Sequence, residues 1–460
     1  MPIRVDLAAK TVSLSPGALL APLARRIGDG RGDSMERRWI GQAVHRRVLS
    51  DALATVPGYA VEKAVRLSFP VDGFTAILEG RLDGRFEDVD GTVVVDEVKS
   101  VHFAEELPRL LGSPRLDRFA RQLQWYLLAV SRTEGRPVRG RLVLADIETG
   151  ETRLVAVTLD TEEVEADLVE RVRGALAAFF GELALAEAKA SEADDLVFPF
   201  GRFRPGQREM AAAVARAARQ GEQLLVEAPT GIGKTAAALF PMLVEALRQG
   251  RKLYVLTSKT TQQEIFRKTL EAIAAASARS VRLRAKERMC ATGVVLCHED
   301  HCAYAKDYAA KLDASGLLDR LLAATPHLEP DFVFEAARAE EVCPFEVSLE
   351  LATRADVVLG DYNYAFDPVV AISGLRDPAS LEGALLLVDE VHNLVDRGRG
   401  IWSPELSEAE VRRLSQVIGT TSPKTAAAAQ EAANEVLELV RDAANLYYDD
   451  NTIWSLSTVL

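Results

Sequence analysis

Alternating polar and apolar positions mark the first part of the chain. Segments 60–69, 74–85 and 92–101 read as strands, separated by polar turns at Val71-Asp72-Gly73 and Asp88-Val89-Asp90-Gly91. A helical spacing precedes them over 34–54. Another follows, carrying Gln122 and Tyr126, then a strand near 140–146 and a long helical stretch over 161–190. Residues 191–195, Ser-Glu-Ala-Asp-Asp, read as a linker. The pattern changes from Phe198. A helix over 207–219 leads to a buried strand at 223–227, and further apolar runs at 252–257, 356–360 and 384–389 alternate with helical segments. Strands alternating with helices predict a parallel, doubly wound sheet. After Ser403 the chain is helical to Leu460, and no internal repeat interrupts it. The fold class is therefore α/β, with domains expected at 1–190, 198–402 and 403–460 and a linker at 191–197.

A length of 460 residues exceeds one ordinary domain, and 48% hydrophobic residues suffice for buried cores. No run of about 18 uncharged apolar residues suggests a membrane span. The start, Met1-Pro2-Ile3-Arg4-Val5-Asp6, lacks the apolar core of a secretion signal. A cytoplasmic setting, where thiols stay reduced, is the expectation. The net charge of −13 argues against nucleic acid as a partner. Over 251–288 that balance reverses, with ten Lys and Arg against three Glu. Such a face suits a phosphate backbone, though a solvated helix surface accounts for charge alone equally well.

Chemistry enters with Ala228-Pro229-Thr230-Gly231-Ile232-Gly233-Lys234-Thr235, a glycine loop between a predicted strand and helix. Backbone N–H groups of such a loop cradle phosphates. Lys234 is placed to reach the β- and γ-phosphates of ATP, and Thr235 to ligate Mg²⁺. Downstream, Asp389-Glu390-Val391-His392 ends an apolar strand. Asp389 is expected on Mg²⁺, Glu390 against the attacking water, and His392 as a link between nucleotide state and the rest of the chain.

Between loop and box lie all four cysteines, Cys290, Cys297, Cys302 and Cys343. Four thiolates saturate a cubane cluster. Zinc is an alternative, alone or with His298 and His301, and free buried cysteines are another. The order of phosphate loop, Thr257-Ser258-Lys259-Thr260, cysteines and Asp-Glu-Val-His resembles the XPD/DinG group of superfamily 2 DNA helicases. Cys343-Pro344-Phe345 and Ala355-Asp356-Val357-Val358 followed by Asp361-Tyr362-Asn363-Tyr364 also match that group's pattern. Arg204 and Gln207 resemble its adenine-side motif. The resemblance implies a RecA-like domain, a 4Fe–4S cluster on the four cysteines in an insertion at about 280–350, a path for single-stranded DNA, and the start of a helical arch at 403–460.

The first domain carries a second set. Asp83 sits in Gly80-Arg81-Leu82-Asp83-Gly84, and Glu97-Val98-Lys99 ends the next strand. Period-two geometry puts Glu97 and Lys99 on one face and turns Asp96 to the other. Two carboxylates can hold Mg²⁺ or Mn²⁺, and a neighbouring lysine can orient a water. His45 on the preceding helix is a further ligand candidate. Gln122 and Tyr126, four apart, share a helix face. This set resembles the PD-(D/E)xK nucleases of the RecB and CRISPR-associated exonuclease type. The resemblance implies metal-dependent cleavage by Asp83, Glu97 and Lys99, with Gln122 and Tyr126 guiding the strand.

Together these features predict an ATP-dependent helicase with a single-strand DNA nuclease, acting in DNA repair or processing. Two alternatives stand beside it: a non-enzymatic iron–sulfur module that binds ATP and DNA, and a helicase with an inactive docking nuclease. No Gln-x-x-Gly-Arg-x-x-Arg pattern is present, so a second motor domain, from a further segment or another chain, is the expected partner. Arginine fingers are worth about 10³–10⁵ in rate. The 460 residues alone are accordingly expected to bind ATP, hydrolyse it slowly and fail to unwind duplexes, which an unwinding assay checks.

Overall fold

The computed structural model describes residues 3–20, 33–101, 103, 107–297, 301–368, 370–376, 381–403, 408–419 and 423–448. Strands β1 (Arg4–Asp6), β2 (Thr11–Leu14), β3 (Ala60–Val71), β4 (Phe74–Glu87), β5 (Val93–Val101), β6 (Val138–Asp146) and β7 (Thr152–Val157) form one mixed sheet. Its order is β1-β2-β4-β5-β6-β7, with β3 lying antiparallel along β4. The three strands expected between 60 and 101 are all present. β5 is central, and Val93, Val94 and Val95 are buried in succession, as a strand covered on both faces requires. The helix Pro114–Glu134 packs on this sheet through Leu123, Trp125, Leu127 and Leu128, none more than 1% exposed. Ser113 caps its start by accepting from the Leu116 N–H, and Gly135, at φ +65°, ends it.

Antiparallel pairing sets Gly84 opposite Asp96. A Cβ on Gly84 would lie 1.8 Å from the Tyr59 hydroxyl. That hydroxyl donates to Asp96 at 2.9 Å. Gly84→Ala is therefore expected to cost about 1–3 kcal/mol of unfolding free energy, measured by urea denaturation.

The expected linker is instead the end of a helix. One helix runs from Thr161 to Asp195, capped by the Asp160 carboxylate on the Glu163 N–H. Val164, Leu168, Val172 and Leu176, four residues apart, bury its first half in the mixed-sheet core. Its last turns are polar in sequence but anchored through three side chains. Lys189 pairs with Asp356 at 2.6 Å, Arg248 with Asp194 at 2.7 Å, and Glu192 accepts from the Ser277 N–H at 3.0 Å. Ala193 is buried among side chains of the second core.

That core surrounds a second sheet: β8 (Lys252–Thr257), β9 (Ser280–Arg282), β10 (His327–Leu328), β11 (Val357–Asp361) and β12 (Ala384–Val388). All its pairings are parallel, in the order β10-β9-β11-β8-β12. Helices connect the strands, so the α/β expectation holds here. β9 and β10 lie within the predicted insertion, so the cysteine-bearing chain leaves and rejoins the sheet.

The strand expected at 223–227 does not form. Among the described residues this segment pairs with no other strand, and β12 pairs only with β8. Leu224, Leu225 and Val226 are 43%, 80% and 36% exposed, and Leu386 on β12 is 38% exposed. An apolar run adopts strand geometry only when a neighbour takes its backbone hydrogen bonds, and none does here. Beyond residue 403, the helices Glu408–Gly419 and Pro423–Tyr448 pack on each other around Val411, Ala433 and Leu437. Residues 449–460 of the predicted arch lie outside the described residues. No described helix is long and apolar enough to cross a membrane.

Candidate functional site

The phosphate loop sits at the start of the helix Lys234–Gln249. Gly231 and Gly233 both have φ +84°, a left-handed conformation that glycine adopts without strain. Gln207 donates from Nε2 to the Gly233 carbonyl at 3.1 Å, and a Cβ at Gly233 would lie 2.5 Å from that nitrogen. The Arg204 N–H donates to Gln207 Oε1 at 2.9 Å, and the Arg204 guanidinium to the Gly231 carbonyl. Arg204 and Gln207 thus brace the loop itself. Lys234 Nζ donates to the Ala228 carbonyl at 3.2 Å, curled over the loop where phosphates would lie. Thr230 and Thr235 complete this segment.

Asp389 and Glu390 follow β12 at the carboxyl edge of the parallel sheet. Burial pushes the Asp389 carboxyl above its usual range, Glu390 adds to that, and Lys234 opposes it. His392 is 72% exposed and lies 3.5 Å from the Glu390 carboxylate.

In the mixed sheet, antiparallel pairing of β4 with β5 brings the second set together. His45 Nε2 lies 3.2 Å from Asp83 Oδ2, a contact that raises the imidazole above its ordinary value. Asp83 also accepts from the Val98 N–H at 2.8 Å. Lys99 Nζ donates to Glu97 Oε1 at 2.6 Å, and Gln122 Nε2 donates to the same oxygen at 2.8 Å. Glu97 is 3% exposed, and its Oε2 has no hydrogen-bond partner. Burial pushes its carboxyl up to about 7, against the pull of Lys99. Asp96 faces away, held by Tyr59 and by Arg141 at 2.8 Å from Nε and Nη2. Tyr126 is buried with its ring against Gly80, where a Cβ would lie 2.6 Å away. Gln122 thus braces the Glu97–Lys99 pair, while Tyr126 packs beneath it.

The four cysteines are unpaired and line a single pocket with Lys286, Tyr304 and Phe345. Cys343 precedes the helix Pro344–Arg354, and burial pushes its thiol up to about 12. Burial also raises Cys297, against a hydrogen bond and the charge of Lys286. Among the described residues, no three His, Cys, Asp or Glu side chains gather as a ready ligand set. The donor chemistry nevertheless suits metals: four thiols around one pocket, and an orphaned buried carboxylate oxygen on Glu97. His298 lies outside the described residues.

Residues 204–292 match the DEAD/DEAH box helicase model, and residues 260–411 match the DEAD_2 model. Together the two matches span residues 204–411. The chain is 27% identical over 288 residues to the ATP-dependent helicase DinG of Mycobacterium tuberculosis, a match covering 53% of this chain and 42% of that relative. The ATP-dependent DNA helicase YoaA of Escherichia coli is 42% identical over 74 residues, 16% of this chain and 11% of its own length. A solved XPD helicase is 20% identical, covering 52% of this chain and 41% of its own, at a TM-score of 0.36. The chain thus spans less than half the length of these relatives. The α/β fold rests on its own parallel sheet.

One residue of this site carried no role in the sequence reading. Tyr362, in the turn expected after β11, is 1% exposed and its hydroxyl reaches the carbonyls of Asp389 and Glu390. Its signal was an aromatic residue with a polar tip directly after a buried strand.

Proposed function

We propose that the chain is an ATP-dependent DNA helicase motor joined to a metal-dependent single-strand nuclease. The observation that carries the motor is the glycine loop with Lys234 curled over it, together with the acidic pair directly after β12, both inside segments that match helicase models. Lys234 would neutralise the β- and γ-phosphates, with Arg204 and Gln207 on the adenine side. Thr235 and Asp389 would hold Mg²⁺, which supplies charge neutralisation at the phosphates. Glu390 would draw a proton from the attacking water as its oxygen bonds to the γ-phosphorus and the β–γ bridging bond breaks, leaving ADP and phosphate. The basic residues over 251–288 do not present the continuous face expected from sequence, because Arg267 and Arg282 pair with Glu264 and Glu329, Arg284 with Asp331, and Lys252 with the Ala352 and Thr353 carbonyls.

The nuclease reading is supported by the His45–Asp83 and Glu97–Lys99–Gln122 contacts and by the unpartnered Glu97 Oε2. His45, Asp83 and Glu97 would hold Mg²⁺ or Mn²⁺, which would polarise the scissile phosphate. Lys99 would orient the attacking water. Cys290, Cys297, Cys302 and Cys343 would hold a 4Fe–4S cluster that staples the insertion.

DNA-stimulated phosphate release tests the motor. Lys234→Ala is expected to lower it at least about tenfold while leaving any metal-dependent DNA cleavage intact. Equal release by the parent and Lys234→Ala would remove the motor reading.

A further inference from the structure

Glu390 holds a backbone conformation that ordinary side chains avoid. Its φ is +51°, where Cβ crowds the following carbonyl oxygen. Hydrogen bonds hold it there. The Glu390 carbonyl accepts from the Asn393 N–H at 2.9 Å and from Asn393 Nδ2 at 3.2 Å. The Tyr362 hydroxyl donates to the same carbonyl at 3.0 Å and also reaches the Asp389 carbonyl. Tyr362 follows β11, and β8 lies between β11 and β12 in the sheet. The ends of β11 and β12, on either side of β8, therefore meet on one oxygen, in a side chain that is 1% exposed.

We propose that Tyr362 is a positioning residue for ATP hydrolysis: its hydroxyl, reaching past β8, fixes the Asp389–Glu390 bend and so sets the Glu390 carboxylate against the attacking water. The inference rests on the ATPase reading above. Strain of this kind persists only where surrounding bonds over-determine it, and it gathers at functional sites. Without the hydroxyl the bend can relax toward ordinary helical φ and carry the carboxylate with it. The phosphate loop is a separate segment, braced by Arg204 and Gln207, so nucleotide binding does not depend on this bond.

Tyr362→Phe keeps the buried ring and removes only the hydroxyl. The full chain would be compared with this variant in two measurements. A fluorescent ATP analogue with Mg²⁺ gives affinity, and single-turnover hydrolysis of radiolabelled ATP with protein in excess gives the chemical rate. The rate is expected to fall about tenfold, since small displacements of a reacting group have effects of that order. Affinity should stay within about twofold and the unfolding midpoint should not move. Asn393→Ala, which removes another bond to the same carbonyl from the start of a surface helix, should show the same split in smaller measure. Loss of affinity in step with rate in both variants would overturn the proposal, as would rates within about twofold of the parent in both. A parent rate no higher than that of Lys234→Ala would instead remove the ATPase reading itself.

Discussion

Lys99→Ala is expected to lower metal-dependent cleavage of single-stranded DNA by about 10³-fold, within the range of a lost acid–base group, while ATP hydrolysis stays at the parent rate. Lys99 is the cation nearest the buried Glu97 carboxylate, at 2.6 Å, and Gln122 touches both partners. Its removal leaves Glu97 without its nearest compensating charge, and in the proposed mechanism would leave the attacking water without its donor. The assay is digestion of labelled single strands with Mg²⁺ or Mn²⁺, and parent-like cutting by Lys99→Ala would sink the nuclease reading. The pH dependence follows from Glu97. Its carboxyl titrates near 7, so below that pH it is protonated and a poor ligand. Cleavage should rise as pH passes upward through about 7, and added Mn²⁺ should shift the rise to lower pH by favouring the carboxylate. The linkage to folding runs the other way. A carboxyl raised on folding favours the folded chain only while protonated, so metal-free protein should lose this contribution as pH rises from the ordinary carboxylate range through about 7.

Cys343→Ser is expected to strip iron and inorganic sulfide from anaerobically isolated protein and to lower its unfolding midpoint by several degrees. The Cys343 thiol is pushed up to about 12 by burial, so no thiolate forms there at neutral pH unless a metal draws off the proton. Cys290, Cys297 and Cys302 line the same pocket, and the described residues between Met289 and Tyr308 form no helix or strand. Ligation energy at such a site is folding energy. Elemental analysis decides between metals: zinc with colourless protein would replace the cluster by a structural zinc, and well-folded metal-free protein would exclude both.

Much of this was legible in sequence where the determinant is local. The strands around Asp83 and Glu97 follow from alternation and turns, and period-two geometry turned Asp96 away from Glu97 without any knowledge of Tyr59 or Arg141. The glycine loop announces itself through the conformations that Gly231 and Gly233 must adopt. What escaped depends on distant partners. Ser191 to Asp195 look like a linker because they are polar, yet Glu192 finds the amides of Ala276 and Ser277, and Asp194 finds Arg248. Residues 223–227 look like a buried strand because they are apolar, but hydrophobicity does not supply the neighbour that a strand needs. Tyr362 shows a polar tip after a buried strand, but not its partner, because its hydroxyl acts two strands away. For Tyr126 the sequence placed the residue on the correct helix face without revealing that Gly80 lets it sink beneath the site.

The edge of β12, unpaired among the described residues, and the exposed Leu224-Leu225-Val226 run have a consequence for how this polypeptide behaves in bulk. Unpaired backbone donors beside greasy side chains are templates for further strands, and natural proteins usually blunt them with charge or proline. The only nearby charges on that run are Glu222 and Glu227, one at either end. As protein concentration rises, molecules should therefore begin to stick through this margin while the rest of the surface, strongly anionic, still repels. Solubility and shelf life would be governed by a handful of residues beside the nucleotide loop, and its colloidal weak point would lie next to its engine.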